Sequence, residues 1–96
     1  MNEDDKIQSA ISRGKRAELL LQDDLLAESL QKLEDSYIAG WRATLSRDTD
    51  ARERLWQAVQ VVGKVKDHLR TVVNNGKVAK SDVDDLARPQ KRFGIV

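Results

Sequence analysis

The stretch SRDTDARERLW, residues 46–56, separates two long segments with helical periodicity and decides how they pair. Asp50 followed three residues later by Glu53 is typical of a capping box, in which two side chains satisfy the free amides at a helix start. Residues 47–49 then form a turn short enough to make the flanking helices antiparallel neighbours. The alternative is one continuous helix over 24–73. Three successive residues with weak helix propensity, 48–50, argue against it.

The segment before the turn predicts a helix over about 24–45. Its large apolar residues recur every three or four positions and therefore share one face of an α-helix. Asp23 or Asp24 is suited to cap the start, because a short carboxylate accepts hydrogen bonds from first-turn amides. The residues on this face are Leu26, Leu30, Leu33, Tyr37 and Trp41, with Ile38 and Leu45 along its edge.

The segment after the turn predicts a second helix over about 51–74. The Asn-Asn-Gly sequence at 74–76 indicates its end, since Gly76 can adopt the left-handed conformation that closes many helices. The apolar face of this helix is formed by Leu55, Val59, Val62, Leu69 and Val73, widened by Ala58, Val61, Val65 and Val72.

Both ends of the chain give weaker signals. A helix is predicted over 4–21, although Gly14 interrupts its periodicity at a cost of about 1 kcal/mol relative to alanine. A short third helix is predicted over about 82–87, and Pro89 prevents its continuation. The expected fold is all-α, with an N-terminal helical segment at 1–22, an antiparallel helical hairpin at 23–76, a short helix at 77–88 and an extended tail at 89–96.

The apolar face of the second helix is too wide for a two-helix unit. It spans about 160° at 100° per residue, whereas a surface helix usually has an apolar face of roughly 100°. Leaving a valine in water forfeits about 1.5 kcal/mol or more. Either the N-terminal helix folds back over this face, or another copy of the chain covers it. We expect another copy, since hairpins with wide apolar faces commonly form bundles or rings.

Composition and charge narrow the class of protein. With 40% apolar and 34% charged residues, the chain is expected to be soluble and helical, without a membrane span. The acidic start predicts no secretory signal, and the lack of cysteine fits the cytosol. Residues 1–50 carry 7 Lys/Arg and 11 Asp/Glu, a balance of −4, whereas residues 51–96 carry 10 and 5, a balance of +5. Such halves favour antiparallel pairing or contact between copies, and neither charge requires nucleic acid.

The sequence offers no constellation that predicts catalysis, a cofactor or a metal site. His68 is the only histidine. Asp67 beside it points about 100° away on a helix, so a metal or general-base site would lack a second group. We therefore interpret His68 as a boundary residue beside the apolar face. Neither a nucleophile elbow nor a phosphate-binding loop occurs.

A compact basic cluster, Arg13, Lys15 and Arg16, could contact DNA phosphates. We favour a solvated face instead, because acidic residues flank the cluster and no stacking aromatic residue accompanies it. The aromatic residues and the tail are stronger candidates for binding a partner. The predicted interface residues are Tyr37, Trp41, Trp56, Val61, Val65, Val72, Phe93, Ile95 and Val96.

Residues 36–79 resemble a group of small phage and prophage proteins. The shared pattern is a Tyr-x-x-x-Trp stripe, an Arg-Asp corner that leads into Arg-Glu-x-Leu-Trp, and a closing Gly-Lys-Val-Ala. Such proteins are encoded among virion-assembly genes, so the resemblance implies a structural or packaging role. The matching residues are Tyr37, Trp41, Arg47, Asp48, Arg52, Glu53, Leu55, Trp56, Gly76, Lys77 and Ala79.

Three functional hypotheses follow. The favoured one is a non-enzymatic, self-associating phage virion or assembly protein, located in the host cytoplasm or the virion, with itself and other virion or packaging proteins as partners. The second is a DNA-packaging adaptor resembling a small terminase subunit, which would bind DNA through Arg13, Lys15 and Arg16. The third is a small phage inhibitor of a host protein. No cofactor and no membrane partner are expected.

Overall fold

The computed structural model describes residues 2–87, which form three α-helices. Helix α1 spans Glu3–Gln22, α2 spans Asp24–Ala43 and α3 spans Thr49–Ala87. The predicted all-α hairpin is confirmed, with α2 and α3 as its two arms. The predicted tail lies outside the described residues.

Helix α2 runs antiparallel to the first half of α3. Near the turn, the side chain of Leu55 packs against Gly40. A Cβ added at Gly40 would lie 3.5 Å from Leu55 Cδ2, an ordinary van der Waals distance. Farther from the turn, Lys66 Nζ lies 3.2 Å from Glu34 Oε2, and both side chains are less than one-third exposed. These two contacts fix the register of the hairpin.

Helix α1 runs antiparallel to the second half of α3. Leu20 and Leu69 line one groove between these helices, and farther along, Gly14 faces Gly76. A Cβ added at Gly14 would lie 2.9 Å from the Cα of Gly76 and 3.2 Å from the carbonyl oxygen of Val72. The two backbones are therefore so close that no side chain larger than hydrogen fits between them.

The molecule is a long body two helices thick. Helix α3, with 39 residues, is about 58 Å long at 1.5 Å per residue. The radius of gyration is 20.9 Å, whereas a compact domain of this size has about 12–13 Å. Among residues 2–87, the buried apolar side chains are Ala17, Val62 and Val73, and no large side chain is fully buried. The core is a narrow seam along α3.

A single residue, Asp23, joins α1 to α2. Its backbone is extended, and its N–H donates to Leu20 O at 3.2 Å, which closes α1. Its carboxylate Oδ1 accepts a hydrogen bond from Leu26 N at 2.9 Å, which caps α2. Of the two aspartates predicted as possible caps, Asp23 caps α2, and Asp24 is the first residue of the helix.

The predicted end of the second helix at residue 74 is wrong. Helix α3 continues through the Asn-Asn-Gly sequence to Ala87, so the predicted third helix at 82–87 is its last part, and the predicted boundary at 76/77 falls inside it. Gly76 has no positive φ. It is buried against Gly14. Glycine has a low helix propensity, but its lack of a side chain allows the two backbones to approach closely here. The predicted interruption at Gly14 is wrong for the same reason.

The predicted capping box is also wrong. Helix α3 begins at Thr49, so Asp50 lies inside its first turn instead of capping it. The first backbone hydrogen bond runs from Arg52 N to Asp48 O at 3.0 Å. The carboxylate of Glu53 accepts a hydrogen bond from Gln57 Nε2 at 3.3 Å and does not reach back to the turn.

Replacing Gly14 or Gly76 with alanine is expected to destabilise the protein. Each added methyl group meets backbone atoms, which cannot move aside as a side chain would, so α1 must shift away from α3. Overpacking costs about 1–3 kcal/mol, and a clash with backbone atoms belongs in the upper part of this range, above the roughly 1 kcal/mol that alanine gains in helix propensity. Thermal unfolding followed by circular dichroism at one protein concentration should show a lower Tm for each variant.

Gly63→Ala is the matched control, because nothing lies within 4 Å of a Cβ built at this helical glycine. It should raise stability by about 1 kcal/mol, which corresponds to roughly 4–8 °C in a domain of this size. An increase in Tm for Gly14→Ala similar to that for Gly63→Ala would contradict the close approach of α1 and α3.

Asp23→Ala is expected to lower the free energy of unfolding by about 1 kcal/mol, since it removes the carboxylate that caps α2. Asp24→Ala, which removes a neighbouring charge without a capping bond, should cost only a few tenths of a kcal/mol. Urea unfolding of the two variants side by side measures the difference. Equal destabilisation would mean that charge, not the cap, matters at this joint.

Candidate functional site

The turn end of the hairpin is held by Arg52, which lies between two groups of α2. Its guanidinium carbon is 4.5 Å from the centroid of the Trp41 ring, a cation–π contact. Its Nη1 donates to Thr44 Oγ1 at 2.9 Å. The Thr44 hydroxyl in turn donates to Trp41 O at 2.6 Å. One arginine of α3 therefore fixes both the last turn of α2 and the Trp41 ring.

The two tryptophans lie at the same end of the hairpin, but they differ in burial. Trp41 is half-buried, whereas Trp56 is 51% exposed. Both rings line a shallow groove together with Arg52, Thr49 and Glu53. Trp56 covers little of the core, and its ring is accessible to a partner at this end of the molecule.

Val61 and Val65 are exposed on a different side of α3. They are 56% and 44% exposed, and Val65 lies nine residues after Trp56, half a rotation around the helix. On α2, Leu33 is 46% exposed. Glu34 and Lys66 pair on one side of the hairpin, so the residues before them, Leu33 and Val65, both lie on the other side. We name the surface formed by Leu33, Val61 and Val65 the valine flank.

The structure divides the predicted interface residues among several places. Tyr37 and Trp41 are half-buried in the seam, and Trp56 lies opposite the valine flank. Val72 is half-buried and lines the grooves between α3 and α1. The N-terminal helix thus covers part of the wide apolar face at Val72, where we expected another copy, and it leaves Val61 and Val65 uncovered. Phe93, Ile95 and Val96 lie outside the described residues.

Two adjoining grooves between α1 and α3, of about 340 and 200 Å³, collect basic side chains. Arg13 and His68 line both grooves, Lys6 lines the first and Arg16 the second. We name this surface the basic groove. Polar groups that also line it are Ser9, Thr71 and Asn75.

The predicted basic cluster is split by the geometry of α1. Arg13 and Arg16 belong to the basic groove, but Lys15 is not among its lining residues. Lys15 lies two residues after Arg13, which turns its side chain about 160° away on a helix. It therefore belongs to another face of α1.

The described part of the chain contains no cluster of side chains suited to bind a metal ion. No group of three His, Asp or Glu side chains within residues 2–87 is placed to hold a metal ion. His68 is exposed beside Arg13, as a boundary residue of the apolar face. None of the three helices, as far as they are described, has a stretch long and apolar enough to cross a membrane.

Sequence reasoning missed Lys6 and His68 as groove residues, and it gave Arg52 no structural role. One signal was available: Lys6 precedes Arg13 by seven residues, which places them on one side of α1. The role of Arg52 depended on the turn, which brings it beside Trp41 and Thr44. The contribution of His68 depended on α1 packing against α3, which no local pattern indicates.

Comparison of the chain with protein-family models, curated proteins and solved structures gives no significant match.

Arg52→Ala is expected to destabilise the hairpin by about 1–2 kcal/mol, because it removes a cation–π contact and a hydrogen bond together. It should also change the tryptophan fluorescence, since Trp41 loses the charge above its ring. Arg54→Ala removes a nearby exposed arginine without such contacts and serves as the control. Unfolding monitored by fluorescence measures both effects, and equal Tm values for the two variants would contradict the role of Arg52.

Proposed function

We propose that this protein is a non-enzymatic helical assembly protein that associates with a second copy of itself through the valine flank. The observation that carries the proposal is the exposure of Leu33, Val61 and Val65 on a body whose own core is a narrow seam. Three large apolar side chains on one surface stay in water in the single chain, although covering each would be worth on the order of 1 kcal/mol.

A second copy fits this flank better than an unrelated partner. A two-fold axis through the flank places the same apolar surface on both sides of the contact, so the surface complements itself. Two hairpins joined in this way form a four-helix bundle, the common solution for helical hairpins with a wide apolar face. The α1 helix cannot supply this cover, because it lies along the other half of α3.

The hydroxyl of Ser29, next to the flank, does not oppose association. By helical spacing, Ser29 lies on the same side of α2 as Leu33, and its hydroxyl already donates to Leu25 O at 2.7 Å. A satisfied hydroxyl can be buried at low cost. The ion pair of Glu34 and Lys66 lies on the opposite side of the hairpin, so association leaves it undisturbed.

We place this assembly in phage particle formation because of the resemblance of residues 36–79 to small phage and prophage proteins. The role is architectural: the protein would act as a virion component or assembly factor, in the host cytoplasm or the virion, with other virion or packaging proteins as further partners. The extended body supports such a role, since a helical rod offers several separate surfaces along its length.

Charge on the valine flank is expected to prevent association. The purified protein should have a mass of at least twice the 10.9 kDa chain mass in light scattering after size exclusion at micromolar concentration. The double variant Val61→Lys, Val65→Lys should return the mass to that of one chain, because a desolvated charge cannot be accommodated in an apolar contact. Circular dichroism checks that both proteins remain helical.

Val78→Lys is the matched control. Val78 is also an exposed valine of α3, at 62%, but it lies outside the flank by helical position. It should leave the mass of the assembly unchanged. A monomeric wild-type protein, or equal dissociation by the flank and control variants, would overturn the proposal.

A further inference from the structure

We infer that the basic groove between α1 and α3 binds the phosphodiester backbone of duplex DNA. This inference is independent of self-association, because every residue that carries it belongs to one chain. It concerns a surface that the predicted cluster of Arg13, Lys15 and Arg16 describes only in part.

The positive charge of the groove is not compensated by acidic side chains within residues 2–87. Lys6, Arg13 and Arg16 line it, and no acidic side chain lines either of its two parts. The ion pairs of the described chain lie elsewhere, at Glu28–Lys32, Glu34–Lys66 and Asp67–Arg70. Within residues 2–87, the three groove cations therefore have no ion-pair partner, and they gain more from an anionic ligand than paired side chains would.

The cations of the groove form a row along α1. Lys6, Arg13 and Arg16 follow one side of α1 over about 15 Å at 1.5 Å per residue. One strand of duplex DNA carries a charge about every 3.4 Å along the axis, so a groove of this length faces about four phosphates. A row of cations at this spacing suits an extended polyanion better than a single small anion.

The rest of the lining combines polar donors with apolar side chains of the seam between α1 and α3, such as Leu69 and Val72. Ser9, Thr71 and Asn75 provide hydroxyl and amide donors, which commonly contact phosphate oxygens. No aromatic residue lines the groove, so bases have no ring to stack on, as single-strand binding would require. This lining favours contact with the backbone of a duplex without sequence preference.

The experiment measures fluorescence anisotropy of a labelled DNA duplex of mixed sequence, titrated with the protein at low ionic strength. We expect binding that weakens with salt, with a slope of about −2 to −3 in a plot of log K against log salt, as for two or three phosphate contacts. The double variant Arg13→Glu, Arg16→Glu should lose affinity by at least about tenfold. Circular dichroism confirms folding, and Arg13→Gln with Arg16→Gln provides a milder variant that should lose less.

Lys15→Glu is the matched control, since it reverses a charge on the same helix but outside the groove. It should change affinity far less than reversal of either groove arginine. An equal loss for Lys15→Glu, no binding by the wild type, or tighter binding to a single strand of the same sequence would each overturn the inference. Retention on anionic phospholipid vesicles without binding to DNA would also overturn it and would assign the groove to lipid headgroups.

Discussion

The backbones of α1 and α3 approach each other at Gly14 and Gly76, and the position of α1 depends on this contact. Without side chains between them, the helices pack through small residues such as Ala17, and large apolar groups have little room in the seam. Close approach gains dispersion contacts between backbones but buries little apolar side-chain area. The single chain therefore holds its shape while a substantial part of its apolar surface remains in water.

Two surfaces follow from this arrangement, and they lie on the same side of α3. His68 and Val72 come seven residues after Val61 and Val65, about two helical turns farther along. The valine flank and the basic groove are thus consecutive parts of one side of the molecule. If two copies pair by a two-fold axis at the flank, their basic grooves lie at the two ends of the pair. Assembly and DNA binding would then use separate parts of the rod without competing for it.

The elements that sequence predicts best are those set by local periodicity. The stripe of α2 from Leu26 to Trp41 repeats at helical spacing, and the structure places it along α3 with only Leu33 largely exposed. The predicted helix end at Gly76 is wrong because Asn-Asn-Gly is a local signal for a helix end. Here the glycine instead allows close contact with Gly14, which is far away in the chain. Lys15 was grouped with Arg13 because they are close in sequence, although a helix separates them.

The joint at Asp23 fixes the length of the chain between α1 and α2. One residue ends the first helix and starts the second, and both helices must present their apolar sides to the same uninterrupted α3. A residue inserted or deleted inside α1 or α2 beside this joint would rotate part of that helix by about 100° and shift it by 1.5 Å along its axis. The apolar side of that helix would then no longer face α3. Evolution can therefore change side chains at this joint far more easily than it can add or remove a residue.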